Sequence, residues 1–63
     1  MEQRIEMFYG DQANQALCFV NAKHESEKLL KEGWFIQEMA SQYFERIDGQ
    51  MVSQLMVVYR RKA

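Results

Sequence analysis

Cysteine and histidine are the residues best suited to nucleophilic catalysis or metal binding, and each occurs once in this chain, as Cys18 and His24. A catalytic pair needs its thiol and imidazole within hydrogen-bonding distance. Six residues apart on a helix, the two side chains lie about 240° apart around the axis, so they do not meet. The sequence therefore predicts no catalytic residues. We expect Cys18 to be a small buried apolar group and His24 a solvated helix residue.

Metal, cofactor and phosphate sites have recognisable sequence patterns, and the chain contains none of them. One histidine and one cysteine cannot supply the ligands of a zinc site. The charged residues between Glu25 and Glu32 are typical of a solvated helix face and do not have the spacing of a calcium loop. A glycine-rich phosphate loop is also missing. We therefore expect a non-enzymatic protein with no cofactor or metal; a subunit of an oligomeric small enzyme, with sites between subunits, is the alternative.

Aromatic and methionine side chains are the remaining candidates for binding. Period-two alternation in the strands described below predicts that six large residues lie on the sheet face away from the helix: Phe8, Phe35, Met39, Tyr43, Met56 and Val58. Such residues are enriched at protein interfaces, but exposed aromatics also stack the bases of single-stranded nucleic acid. The formal net charge of -1 does not favour nucleic acid or an anionic membrane. We predict a homodimer or another protein partner at this face. The alternatives are nucleic acid and a second core layer formed by the chain itself.

The stretch from Met51 to Arg61 is the strand around which these side chains must be arranged. At a period of two, one face carries Leu55, Val57 and Tyr59, whereas the other carries Val52, Met56 and Val58. Because both faces are apolar, this strand should be buried on both sides or covered by a partner. The sequence predicts that it lies in the middle of the sheet.

The N-terminal half predicts one strand followed by one helix. Residues 4–9 alternate well enough to form the strand, which Gly10 and Asp11 should end. Residues 12–32 favour helix, with Asp11 as the N-cap and Gly33 as the C-cap glycine with positive φ. An alternative makes residues 16–20 a second strand, because Phe19 and Val20 favour strands. A shorter helix, capped by Asn21, would then extend to Glu32.

Residues 34–44 form the next predicted strand, and Asp48-Gly49 is the strongest turn signal in the chain. A two-residue turn there sets the register of the closing hairpin: it places Phe44 opposite Ser53, Gln42 opposite Leu55, Ala40 opposite Val57 and Glu38 opposite Tyr59. The side carrying Ala40, Leu55 and Val57, extended by Ile36, should face the helix. The predicted fold is a single α+β domain over residues 1–63, with one helix on an antiparallel sheet in β-α-β-β order. The alternative order is β-β-α-β-β.

One segment carries a family resemblance. Leu29-Leu30-Lys31-Glu32-Gly33-Trp34-Phe35-Ile36, followed by a final strand ending Val57-Val58-Tyr59-Arg60-Arg61, resembles several small bacterial domain families of unknown function. In these families a first strand is followed by a helix that ends in a Gly-Trp pair and by a closing hairpin. The resemblance covers about the C-terminal half of the chain. It implies an α+β fold and carries no catalytic residues.

Length and cysteine usage bear on assembly and location. A chain of 63 residues buries only about 60% of the surface that its unfolded form exposes, so association is an expected source of further stability. Because Cys18 is the only cysteine, disulfides within the chain are excluded, and a reducing cytoplasm is the expected location. No apolar run approaches the roughly 20 residues that span a bilayer.

Overall fold

The computed structural model describes residues 1–62, which form one helix and three strands. In chain order these elements are β1 (Glu2–Gly10), α1 (Leu17–Lys31), β2 (Phe35–Glu45) and β3 (Met51–Arg61). The strands form one antiparallel sheet. The predicted α+β class and β-α-β-β order are confirmed, and the alternative with a strand over residues 16–20 is wrong.

The central position of β3 is also confirmed, because the sheet order is β1-β3-β2. Leu55, Val57 and Tyr59 are each at most 2% exposed and pack under α1. On the opposite side of the strand, Val58 is 8% exposed although no helix covers it. The neighbouring strands bury that residue. Helix α1 therefore covers one apolar face of β3, and only the neighbouring strands shield the other.

The start of the helix differs from the prediction. The Asp11 carboxylate accepts the backbone N–H of Asn14 at 2.8 Å, and the same two residues exchange two backbone hydrogen bonds of 3.2 Å. Asp11 therefore closes a turn of its own and does not cap the helix. Helix α1 begins at Leu17, after an N-cap residue, Ala16, that offers no side-chain hydrogen bond. The predicted start near Gln12 is wrong for this reason.

The end of the helix agrees with the prediction. Gly33 has a φ of 90°, a backbone angle that residues with a Cβ rarely adopt. The Gly33 N–H donates to the Leu30 carbonyl at 3.2 Å, and the Trp34 N–H donates to the Leu29 carbonyl at 3.0 Å. These two bonds form a Schellman motif, which satisfies the last carbonyls of the helix and turns the chain into β2.

The hairpin between β2 and β3 turns at the predicted place but with a different loop. The Gly49 N–H donates to the Arg46 carbonyl at 2.9 Å, and the Arg46 N–H donates to the Gln50 carbonyl at 2.8 Å. These bonds enclose a three-residue loop in which Gly49 has a φ of 83°. The predicted loop had only two residues. The observed one is the type I turn with a glycine bulge that commonly joins antiparallel strands.

The longer loop shifts the register of β2 by one residue. Tyr43 now lies opposite Ser53, Ser41 opposite Leu55, and Met39 opposite Val57. Because side chains alternate between the faces, the predicted positions of residues 38–44 are exchanged. A bulge between Ile36 and Glu38 restores the original alternation beyond it. Ile36 therefore faces the helix, as predicted.

The core lies between α1 and the β1-β3 side of the sheet. Its buried residues are Cys18, Ala22, Leu29, Trp34, Leu55, Val57 and Tyr59, with Phe8 packed against them. Hydrogen bonds attach both α1 and the turn before it to β3: the hydroxyls of Ser26 and Tyr59 lie 2.7 Å apart, and the Ser53 hydroxyl donates to the Gln15 carbonyl of the turn at 2.5 Å. All eleven residues of β2 are exposed, so this strand contributes little to the core.

The fold is elongated. Its dimensions are 43 × 18 × 12 Å and its radius of gyration is 13.2 Å. A compact chain of this length would have a radius of gyration of about 11 Å. The long hairpin and the single helix thus leave much apolar surface outside the core.

Candidate interaction surfaces

The six residues predicted to share one surface are divided between the two faces of the sheet. We call the face away from α1 the open face; it carries Phe35, Met56 and Val58. By their strand partners, the other three predicted residues belong to the helix-facing side: Phe8, Met39 and Tyr43. The one-residue register shift explains why Met39 and Tyr43 lie on the helix-facing side. Phe8 lies opposite Leu55 and packs against the core, so its predicted place is also wrong.

Four apolar residues that the sequence analysis left out join the open face. These are Ile5, Met7, Tyr9 and Phe44, each between 40% and 53% exposed. The first three alternate with Arg4, Glu6 and Phe8 along β1. Assigning Phe8 to the core would have placed them on the open face by alternation alone.

The centre of the open face is a shallow depression of about 350 Å³, lined by Met7, Ala40, Ser41, Gln42, Gln54 and Met56. Met56 lies between Met7 of β1 and Ala40 of β2 in the strand register. A hydrogen bond between the Gln42 and Gln54 side chains borders the depression. An apolar centre with polar groups beside it is the usual arrangement of a protein interface.

Charged groups on the open face occur toward one end. Glu38 lies opposite Val58, and Arg60 lies opposite Phe35. The Arg60 guanidinium donates to the Met1 sulfur at 3.6 Å, and its Nε atom is buried without a hydrogen-bond partner within the described chain. One positive and one negative charge give this face no strong electrostatic preference.

A second apolar surface lies on the other side of β2, where α1 does not reach over the strand. We call it the β2 groove. Its volume is about 380 Å³, and it is lined by Phe19, Ala22, Lys23, Ser26, Glu27, Leu30, Ile36, Met39 and Leu55. Leu30 and Met39 are each more than half exposed. The groove is bounded on one side by the free edge of the sheet.

Ion pairs lie at the far end of β1, beside Trp34. The Arg61 guanidinium stacks 4.5 Å from the Trp34 ring centre and binds the Glu2 carboxylate at 2.9 Å. The hydrogen bond between Glu2 and Arg61 lowers the pKa of Glu2 below the ordinary value of 4.5 and raises the pKa of Arg61. The Arg4–Glu6 pair, 2.6 Å apart, likewise raises the pKa of Arg4. These exposed pairs give β1 a charged margin.

The residues considered for catalysis lie apart. Cys18 is buried, and its Sγ donates to the Gln15 carbonyl at 3.4 Å, whereas His24 is exposed on α1. Both placements agree with the sequence analysis. Within residues 1–62, no three histidine, cysteine, aspartate or glutamate side chains are grouped so that they could hold a metal ion.

Comparison with known proteins found no matching family, no matching curated protein and no matching solved structure. The resemblance to small bacterial domains with a Gly-Trp helix end therefore stays a prediction. Among the described residues, no helix has the length and apolar character needed to cross a membrane.

Proposed function

We propose that this chain is a non-enzymatic protein–protein interaction module that uses the open face to bind a second copy of itself. The observation that carries the proposal is an uncovered sheet face whose centre is formed by Met7, Ala40 and Met56. Large exposed apolar patches on small domains mark binding surfaces. An antiparallel sheet can leave one face to water when that face is polar, but here the centre of the face is apolar, so a cover would stabilise it.

Homodimerisation also suits the stability of so short a chain. One helix covers one side of the sheet, and β2 has no buried residue. A second copy, packed face to face, would bury Ile5, Met7, Phe35 and Phe44 and extend the core. The free cysteine, Cys18, is consistent with a reducing cytoplasm.

The charges on the open face favour a protein over single-stranded nucleic acid. Aromatic rings that could stack bases are present at Tyr9, Phe35 and Phe44. However, Arg60 is the one basic strand residue on this face among residues 1–62, and Glu38 opposes its charge. Nucleic-acid grooves combine stacking rings with many positive charges along the backbone path.

The substitution Met56→Glu tests the proposal at the centre of the surface. Burying two unpaired carboxylates near a two-fold axis costs several kcal/mol, which is enough to dissociate a small interface. We expect sedimentation equilibrium to show a lower mass for the variant than for the unmodified chain. Its folded state should also be less stable to urea at concentrations where the unmodified chain associates.

The matched control is Gln3→Glu, which adds the same charge at an exposed position at the end of the same face. This control should keep the original mass. An unchanged mass for Met56→Glu, with a folded circular dichroism spectrum, would refute association through this face. If Met56→Glu instead weakened binding to a labelled single-stranded RNA and left the mass unchanged, the nucleic-acid alternative would replace the proposal.

A further inference from the structure

The free edge of β2 presents a row of unpaired backbone groups. Because the Arg46 N–H donates to the Gln50 carbonyl, the alternation of an antiparallel ladder fixes which residues of β2 bond to β3. Gln42 and Phe44 direct their N–H and C=O groups toward β3. Met39, Ser41 and Tyr43 direct theirs outward, away from the sheet.

We propose that β2 pairs with β2 of a second copy, antiparallel and about a two-fold axis at Ser41, to give a continuous six-stranded sheet. Ser41 then lies opposite the partner's Ser41, and Met39 lies opposite the partner's Tyr43. By symmetry, Tyr43 lies opposite the partner's Met39, which makes three opposed pairs. Each pair exchanges two backbone hydrogen bonds, about six in all. Beside them, Ala40 lies opposite the partner's Gln42.

Two requirements restrict the register. Paired residues must point to the same face, and the bonded pairs must be those with outward-directed backbone groups. Any two-fold axis that passes through a residue of β2 meets both, whereas an axis between two residues meets neither. Centring the axis on Ser41, the middle of residues 38–44, places Met39 against the partner's Tyr43. Centring it on Gln42 would oppose Met39 to the partner's Glu45, setting a charge against an apolar chain. The bulge at Gln37 ends the regular edge and limits the pairing to residues 38–44.

A second copy is the occupant that the structure favours. The edge segment is self-complementary about Ser41, and a two-fold contact closes on itself without forming a fibre. About six hydrogen bonds correspond to an interface of roughly 600 to 1,200 Å², which is the size of a weak, reversible contact. Tyr43 and Met39 are 58% and 51% exposed, so the pairing covers apolar surface as well as backbone.

The edge contact is separate from the open-face contact of the proposed function. Ser41 lies at the free edge with its side chain on the helix-facing side, whereas Met56 lies at the centre of the open face in the middle strand. In this arrangement both α1 helices lie on the same side of the six-stranded sheet, which leaves the open faces available. If both contacts form, the assembly is a tetramer.

Charge substitution at Ser41 tests the axis directly. In the Met56→Glu background, which removes the open-face contact, the chain should still form an edge dimer. Adding Ser41→Lys places two like charges side by side at the axis, and so does adding Ser41→Glu. We expect each addition to raise the dissociation constant at least about tenfold. Mixing the lysine and glutamate variants in equal amounts should restore a dimer, because opposite charges then meet.

Circular dichroism establishes that each variant is folded, and substitution at the exposed Ser41 should leave the monomer intact. The matched control is Asn21→Glu in the Met56→Glu background, which adds one negative charge at an exposed position of α1 outside the β2 groove. It should keep the dimer. A Ser41→Lys variant that keeps its mass, or a mixture that stays monomeric, overturns the edge dimer. Neither result bears on the open face, which is judged by Met56→Glu against the unmodified chain.

Discussion

The two outer strands of the sheet differ in their charges and in how far α1 covers them, although both pair with β3 along nearly its whole length. On β1, Glu2, Arg4 and Glu6 make ion pairs, and Phe8 packs into the core under α1. On β2, every residue is exposed, and Glu38 is the one charged residue before the terminal Glu45. Charges and a covering helix are the usual means by which proteins prevent edge-to-edge pairing.

This difference shows how the position of one helix decides which edge can associate. Helix α1 packs over β1 and β3 because its buried residues, Cys18, Ala22 and Leu29, meet Leu55 and Tyr59 there. β2 is left beyond the helix, with apolar residues on both faces. Lysine and proline, which often protect sheet edges from pairing, are both absent from residues 35–45. This asymmetry is the reason that the proposed association involves β2 and not β1.

A pair of proline substitutions on β2 should give the largest effect and test which backbone groups face outward. Gln42→Pro removes an N–H that bonds to β3 and forces a ring against the neighbouring strand, so it should unfold the chain or lower its stability by about 3 kcal/mol. Urea unfolding followed by circular dichroism measures this loss.

Ser41→Pro is the matched control, one residue away, where the missing N–H would have pointed to solvent. Proline is tolerated at such edge positions. This variant should keep most of its monomer stability and lose edge pairing. Equal destabilisation by the two prolines would show that the assignment of the free edge is incorrect.

Gly10→Ala tests the tightly packed end of β1 and should have the next largest effect. A Cβ at Gly10 would lie 2.5 Å from the Gln15 carbonyl oxygen and 2.9 Å from that of Asn14. Because backbone atoms cannot move aside as a flexible side chain can, overpacking should cost about 1 to 3 kcal/mol. Urea unfolding measures the difference.

Gly33→Ala provides the comparison for Gly10→Ala. A Cβ at Gly33 would meet nothing closer than 3.6 Å, so the cost arises from its positive φ alone. We expect a loss of about 1 kcal/mol. A Gly10→Ala variant that is less destabilised than Gly33→Ala would contradict the close packing of the turn against the end of β1.

Glu2→Gln should have the smallest effect and depends on pH. The pKa of Glu2 is lower in the folded protein than in the unfolded chain, because Arg61 binds its ionised form. Its stabilising contribution is therefore present above the unfolded pKa and is lost as the pH falls through the folded pKa. Urea unfolding should show a small loss of stability at pH 7 that disappears in acid below that range.

Glu45→Gln serves as the control for Glu2→Gln, because Glu45 forms no ion pair within the described residues. A Glu2→Gln variant that differs from the unmodified chain by the same amount at pH 7 and in strong acid would argue against the Arg61 pair.

The elements with strong local signals could be predicted from the sequence. The unbroken apolar run in β3 indicated a central strand, because an exposed edge would not carry it. Gly33 indicated the helix end, since a Schellman motif needs a residue that accepts positive φ. These features depend on residues close together in the chain, so composition and spacing suffice.

The register of β2 could not be predicted because two loop types fit the same residues. Asp48-Gly49 is compatible with a two-residue turn and with a three-residue loop in which Gly49 forms the bulge. The choice moves every side chain of residues 38–44 to the opposite face. For this reason the interface prediction placed Met39 and Tyr43 on the wrong face of the sheet. Phe35 lies on the predicted face because the bulge at Gln37 restores the alternation.

The start of the helix was missed for a similar reason. Asp11 has the side chain of an N-cap, and its carboxylate does accept a backbone N–H. The donor, however, is Asn14, which belongs to a separate turn before the helix. Gln15 accepts the Ser53 hydroxyl and ties this turn to β3. Nothing near Gln15 in the sequence shows such a distant partner.

The central claim is that the uncovered apolar surfaces of this sheet are interfaces between copies of the chain. Sedimentation equilibrium of the unmodified protein, over concentrations from below to above micromolar, tests it most directly. The account predicts a mass that rises with concentration above the 7.6 kDa of one chain, to that of a dimer or a tetramer. A mass of 7.6 kDa at every concentration, for a protein with a folded circular dichroism spectrum, would contradict it.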